Sequence, residues 1–197
     1  MIILFGLAGS GKGTQAKALS EIFGWRTFSV GQVIRDTGEY REIIDKGELI
    51  PDEDVIRLMN KQIEKAEAEG FDIILDGYPR TKAQAEYLVS NMANKIDGAI
   101  IIDVPKEELY KRLELRGRDD DKEKDAIDRR FEIFEQNICS ILPLFEEQNI
   151  PVTRVDGVGE IGTVTGRLIA AFQKFCPNAT KQIDDVNGGE IEKSYGE

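Results

Sequence analysis

Short apolar runs rich in β-branched residues alternate along the chain with longer stretches whose apolar positions recur every three or four residues. The runs at 2–5, 73–75, 99–104 and 152–155 predict buried strands, and 26–28 predicts a further short one. Periodic stretches near 12–23, 52–69, 81–94, 106–116, 126–147 and 160–175 predict helices. This alternation predicts an α/β fold, a parallel sheet of about five strands covered by helices on both faces. The clearest pattern lies in 126–147, where Ile127, Phe131, Phe134, Ile138, Ile141, Leu142 and Phe145 form one stripe. At about 100° per residue, Arg130 falls at the edge of that stripe and Arg129 points nearly opposite. Pro143 falls on the outer side, where a bend is tolerable. From 177 to 197 the chain turns polar and includes Gly188-Gly189, which reads as a flexible tail behind a domain spanning 1–176.

Composition narrows the function classes. With 41% hydrophobic and 32% charged residues in 197, the chain can build a sizeable core. A formal net charge of −11 disfavours nucleic acid and anionic membranes, so any anionic ligand must be drawn in by local clusters of Lys and Arg. There is no histidine, which removes the usual general base. Cys139 and Cys176 show neither a disulfide framework nor zinc spacing and read as free thiols in a reducing compartment. The opening run is too short for a signal peptide or membrane anchor, so a cytoplasmic protein is expected.

The candidate chemistry begins directly after the first strand. Gly6-Leu7-Ala8-Gly9-Ser10-Gly11-Lys12-Gly13-Thr14 stands between that strand and the first helix, the context a phosphate-binding loop requires. Its glycines let backbone N–H groups converge on phosphate oxygens at a helix N-terminus, and Lys12 brings a mobile cation. Gly13 stands where many such loops carry the hydroxyl that binds magnesium, which points away from GTPases and motor ATPases and toward nucleotide kinases.

Three further motifs follow in order: Leu75-Asp76-Gly77-Tyr78-Pro79-Arg80-Thr81, Val104-Pro105 with Arg112 and Arg116, and Gly117-Arg118-Asp119-Asp120-Asp121 with Arg130. Together with the phosphate loop they resemble the adenylate kinase family of nucleoside monophosphate kinases in its short-lid form, over about residues 1–175. The resemblance implies phosphoryl transfer from ATP to a nucleoside monophosphate, with AMP favoured and two ADP as products. It implies that Gly9, Ser10, Gly11, Lys12, Gly13, Thr14, Arg112 and Arg116 bind ATP. Val30, Gly31, Arg35, Gly77, Arg80, Gln84, Arg118 and Arg130 would form the AMP site. Lys12, Asp76, Arg80, Arg116, Arg118 and Arg130 would serve catalysis. Asp76, at a strand end beside the loop, is positioned to hold Mg2+ through water. Segment 29–58 would be the acceptor-binding insertion and 117–125 a short lid loop. The partners expected are ATP, AMP and ADP, with no nucleic acid or membrane and a monomeric protein. An anionic acceptor needs no base, so positioning by fixed cationic donors can carry the reaction.

The chain departs from the family pattern at Val30-Gly31-Gln32, where Thr or Ala, Gly and Asp are usual, at Ala8, and at Tyr78. Thr81 and Gln84 match the AMP-using pattern, and Gln84 offers both a donor and an acceptor to a base edge. Two other readings stay open: UMP or CMP as acceptor, and a nucleotide-binding protein that has lost activity.

Overall fold

A computed structural model describes residues 1–179 apart from 39, 41, 44, 45, 47, 118–120 and 122. Five strands form one sheet: β1 (Ile2–Phe5), β2 (Arg26–Ser29), β3 (Ile73–Asp76), β4 (Gly98–Asp103) and β5 (Val152–Asp156). Their order is β2-β3-β1-β4-β5 and every pairing is parallel. Between them run α1 (Lys12–Phe23), α2 (Val30–Thr37), α3 (Asp52–Ala68), α4 (Lys82–Met92), α5 (Lys106–Arg116), α6 (Lys124–Glu147) and α7 (Ile161–Phe175).

The period-two geometry of a strand explains the two cores. On β1, Ile3 and Phe5 face Met59 and Ile63 of α3, Leu88 of α4 and Phe145 of α6. Ile2 and Leu4 face the opposite way, onto Leu19 and Phe23 of α1 and Leu168 and Phe172 of α7. Phe172 stacks on Phe23 at 4.3 Å and meets the Trp25 edge at 4.7 Å. Both sides of the central strand are therefore buried, which is why its sequence is continuously apolar. A third cluster of Leu109, Leu113, Ile127 and Phe131 packs α5 against α6 beneath Leu7 and Ala8 of the phosphate loop.

Helix ends follow local chemistry. The α1 helix stops at Gly24, left-handed at φ 71°, whose N–H bonds the Ser20 carbonyl. The α5 helix stops the same way at Gly117, with its N–H on Leu113. Thr81 caps α4, its hydroxyl accepting from the Gln84 N–H. Acidic Asp52, Glu53 and Asp54 open α3, where the helix dipole favours them. Helix α2 was not among the predicted helices. It is short and contains Gly31, although Ser29 and the left-handed Gly38 bracket it.

Register sets the site. Leu4 pairs with Asp76, so β3 ends beside the point where β1 runs into the phosphate loop. Strand order reverses direction of growth at β1, and the crevice beyond its carboxyl end is where ligands bind in such sheets.

Candidate active site

The loop wraps tightly over the end of β1. Gly6 sits at φ 152°, and a Cβ there would fall 2.7 Å from Ser10 Oγ and 2.9 Å from the Ile102 carbonyl. Gly11 caps α1 at φ 89°. The loop is thereby held with its backbone against the sheet and the first turn of α1 facing the crevice. Lys12 Nζ folds back to donate to the carbonyls of Gly6 at 2.7 Å and Leu7 at 2.9 Å. Burial pulls Lys12 down to about 8; Asp76 opposes this, and Arg80, Arg116 and Arg130 add to it. An ammonium held among three guanidiniums is a site short of negative charge, as expected where phosphates belong.

Asp76 is buried at the strand end, and a Cβ on Gly13 would lie 3.6 Å from its Oδ2. The described residues hold no group of three or more acidic, His or Cys side chains that could chelate a metal. One carboxylate beside a phosphate loop instead fits a magnesium ion that arrives on phosphate oxygens and keeps its waters. Gln32 bonds within its own helix, donating to Asp36 at 2.6 Å and accepting from Arg35 at 3.3 Å.

On the opposite side, Arg35 and Arg80 converge. A Cβ built on Gly31 would lie 3.2 Å from Arg35 Nη1 and 3.7 Å from Arg80 Nη2. Arg80 is aimed by its own strand end, where Nε donates to the Gly77 carbonyl at 2.9 Å. Gly77, at φ 72°, leaves a Cβ position only 3.0 Å from Arg80 Nη2, so the guanidinium lies flat across a residue that must be glycine. Val30 is buried in the core and also lines the cavity with Ile34, Ile50 and Val55, an apolar wall beside these cations. Gln84 lines the same region.

Arg112, Arg116 and Arg130 stand on α5 and α6. Arg112 donates to Glu108 at 2.9 Å and to the Gly157 carbonyl at 3.2 Å. Arg116 grips Asp121 with two bonds of 2.7 Å, and Arg130 adds a third of 2.9 Å. Burial pushes the Asp121 carboxyl up, but the two guanidiniums overcome this and hold it below the usual carboxylate range. Asp121 had no assigned role in the sequence reading; it belongs to the site as the anion between two candidate phosphate-binding arginines. Arg118 lies outside the described residues, as do 119, 120 and 122 of the candidate lid. Arg129 on α6 is more exposed than Arg130 and pairs at 2.9 Å with Glu48, which itself faces the crevice.

A single cavity of about 1170 Å³ joins these parts. It runs from the loop, Arg112 and Gly159 on one side to Val30, Arg35 and Gln84 on the other. That exceeds the 300–1,000 Å³ or so usual for one drug-sized ligand.

Fold and site together define a phosphate-loop α/β protein with cations gathered from opposite sides on one crevice. A sequence profile described as adenylate kinase matches residues 4–150. The chain is 34% identical over 186 residues to an adenylate kinase of Thermus thermophilus, covering 87% of this chain and 96% of that one. It is 37% identical over 186 residues to the Micrococcus luteus enzyme, covering 86% and 89%. It is 33% identical over 216 residues to that of Archaeoglobus fulgidus, covering 88% and 98%. The chain belongs to the adenylate kinase family.

Proposed function

We propose that the protein transfers the γ-phosphoryl group of ATP to AMP, forming two ADP. The observation that carries this is one cavity with the phosphate loop and Lys12 at one side and the paired Arg35 and Arg80 at the other. An α-phosphate oxygen of AMP attacks the γ-phosphorus as the bond to the β–γ bridging oxygen breaks, so each nucleotide leaves as ADP.

In this reading Arg35 and Arg80 clamp the acceptor phosphate, and the backbone from Gly9 to Thr14 cradles the donor phosphates. Lys12 leaves the Gly6 and Leu7 carbonyls to meet the β- and γ-phosphates, which stabilise its charged form. Arg116 and Arg130 exchange Asp121 for the transferring group, whose equatorial oxygens gain charge in the transition state. Mg2+ carried on ATP neutralises phosphate charge when bound, and Asp76 holds its waters. Val30, Ile50 and Val55 receive one face of the adenine, and Gln84 reads its edge. The segments 29–58 and 117–125, the latter with Arg118, close over the nucleotides and exclude water, which keeps ATP from hydrolysis without an acceptor. We place the enzyme in the cytoplasm as a monomer acting on free nucleotides. Among the described residues no helix is long and apolar enough to cross a membrane. The relatives lend no support to UMP or CMP as acceptor. Comparing turnover of AMP, UMP and CMP with ATP and magnesium tests the assignment: AMP must be preferred, and a faster pyrimidine reaction would reject it.

A further inference from the structure

Gln84 stands in the first turn of α4 and is only 1% exposed, yet it lines the cavity. Its Oε1 accepts from the Arg80 backbone N–H at 2.8 Å. Its Nε2 donates to Oδ1 of Asp52 at 2.7 Å. Asp52 opens α3, and the same oxygen accepts from Thr81 Oγ1 at 2.8 Å. A backbone N–H can only donate, and an ionised carboxylate can only accept. Turning the carboxamide over would set N–H against NH2 and carbonyl against carboxylate. Two partners of opposite sense therefore pin the amide at both ends. One N–H on Nε2 and one lone pair on Oε1 remain, and the two anchors fix which end of the amide carries which.

We propose that Asp52 is a specificity-determining positioning residue: by fixing the polarity of Gln84 it makes the acceptor site accept a 6-amino purine monophosphate and refuse a 6-oxo one. This rests on the reading of Gln84 as the residue that meets the base edge. Adenine presents a donor at N6 beside an acceptor at N1, which matches the free positions on Oε1 and Nε2. Hypoxanthine, of the same shape, presents an acceptor at O6 beside a donor at N1. Against a pinned amide it meets like with like, and buried groups are left unpaired. The Arg80 N–H alone would leave the Nε2 end to swing about a single contact. The charged acceptor at Asp52 is the stronger of the two anchors.

The test compares kcat/KM for AMP and for IMP at fixed ATP in the full chain. Asp52→Ala is expected to shrink the AMP preference about tenfold or more, because a hydrogen bond to a charged group is lost. Asp52→Ser, which keeps a polar residue at the helix start but cannot reach Gln84, must behave like Asp52→Ala. Asp52→Asn, whose Oδ1 still accepts from Nε2, retains the preference to within about threefold. Glu53→Gln removes equal charge from the same helix turn and leaves the preference unchanged. Suppose Asp52→Ala and Asp52→Ser slow both substrates equally while Gln84→Met collapses the preference. Asp52 would then be merely structural, and the proposal is overturned with the reading of Gln84 intact. An unchanged preference in Gln84→Met would instead remove that reading and the proposal together.

Discussion

Asp121→Asn separates what the donor-side arginines do without nucleotide from what they do with it. The substitution keeps the shape of the side chain and removes the charge between Arg116 and Arg130, which hold it at 2.7 to 2.9 Å. Removing one partner of a fully buried pair costs about 3–5 kcal/mol. Here the carboxylate is 1% exposed, but Arg116 is 32% and Arg130 19% exposed, so water recovers part of that loss. About 2 kcal/mol is expected, which at this chain length lowers Tm by roughly 4–8 °C. ATP reverses the balance. On the proposed role of these arginines, the phosphates must displace the charged Asp121 in the wild type, and only a neutral amide in the variant. ATP should therefore bind about fivefold tighter, a gain near 1 kcal/mol, and saturating ATP should narrow the Tm gap. The pH dependence has a definite sign. A depressed folded-state pKa contributes stability above the unfolded value and loses it as pH falls through the folded one. The two proteins should thus converge in stability below about pH 4. Calorimetric titration with ATP in the absence of AMP, beside thermal melts with and without ATP, reads all three effects. Weaker or unchanged ATP binding in Asp121→Asn would refute the idea that Asp121 stands in for phosphate.

Other substitutions probe the remaining parts. On its proposed role of meeting charge that grows in the transition state, losing Lys12 in Lys12→Met should cost about a thousandfold in kcat. Its stability should also fall behind wild type by about 1–2 kcal/mol, after discounting for solvent, as pH rises from about 8 to 10.5, because over that range folded wild type has shed a proton that the unfolded chain keeps; denaturant melts at pH 7.5 and 10.5 check this, and a constant difference would contradict it. Arg80→Ala removes half of the paired clamp at Gly31 and should lower kcat/KM for AMP tenfold to a hundredfold while leaving ATP affinity unchanged. Arg129→Ala breaks only an exposed pair with Glu48, worth at most about 1 kcal/mol, and should leave steady-state rates within twofold. Asp76→Asn should raise the magnesium concentration needed for half-maximal rate, read by titrating the forward reaction.

Much of this site was legible because its signals are local. The glycine spacing after a run of four apolar residues specified the phosphate loop, and β1 is buried at every position as that run requires. Helical phase distinguished Arg130, the less exposed of the two and bonded to Asp121, from Arg129, which is exposed and pairs with Glu48. What escaped depends on contacts distant in sequence or on weak patterns. Asp52 reaches Gln84 across 32 residues, which no spacing rule anticipates. Asp121 sits in a run of three aspartates, and nothing local marks it as a residue that becomes buried. Helix α2, of eight residues with an internal glycine, falls below the length at which periodicity is decisive. Gln32 stands where the family pattern has Asp, and its amide is engaged by Asp36 one turn away, a contact the departure itself did not announce.

The most direct measurement follows nucleotides by phosphorus NMR after adding the protein to ATP, AMP and magnesium. One ATP and one AMP must be consumed for every two ADP formed, with no release of inorganic phosphate and almost no change when AMP is left out. ADP appearing from ATP alone with equimolar phosphate, or AMP remaining untouched while ATP is consumed, would contradict phosphoryl transfer between the two sides of this cavity.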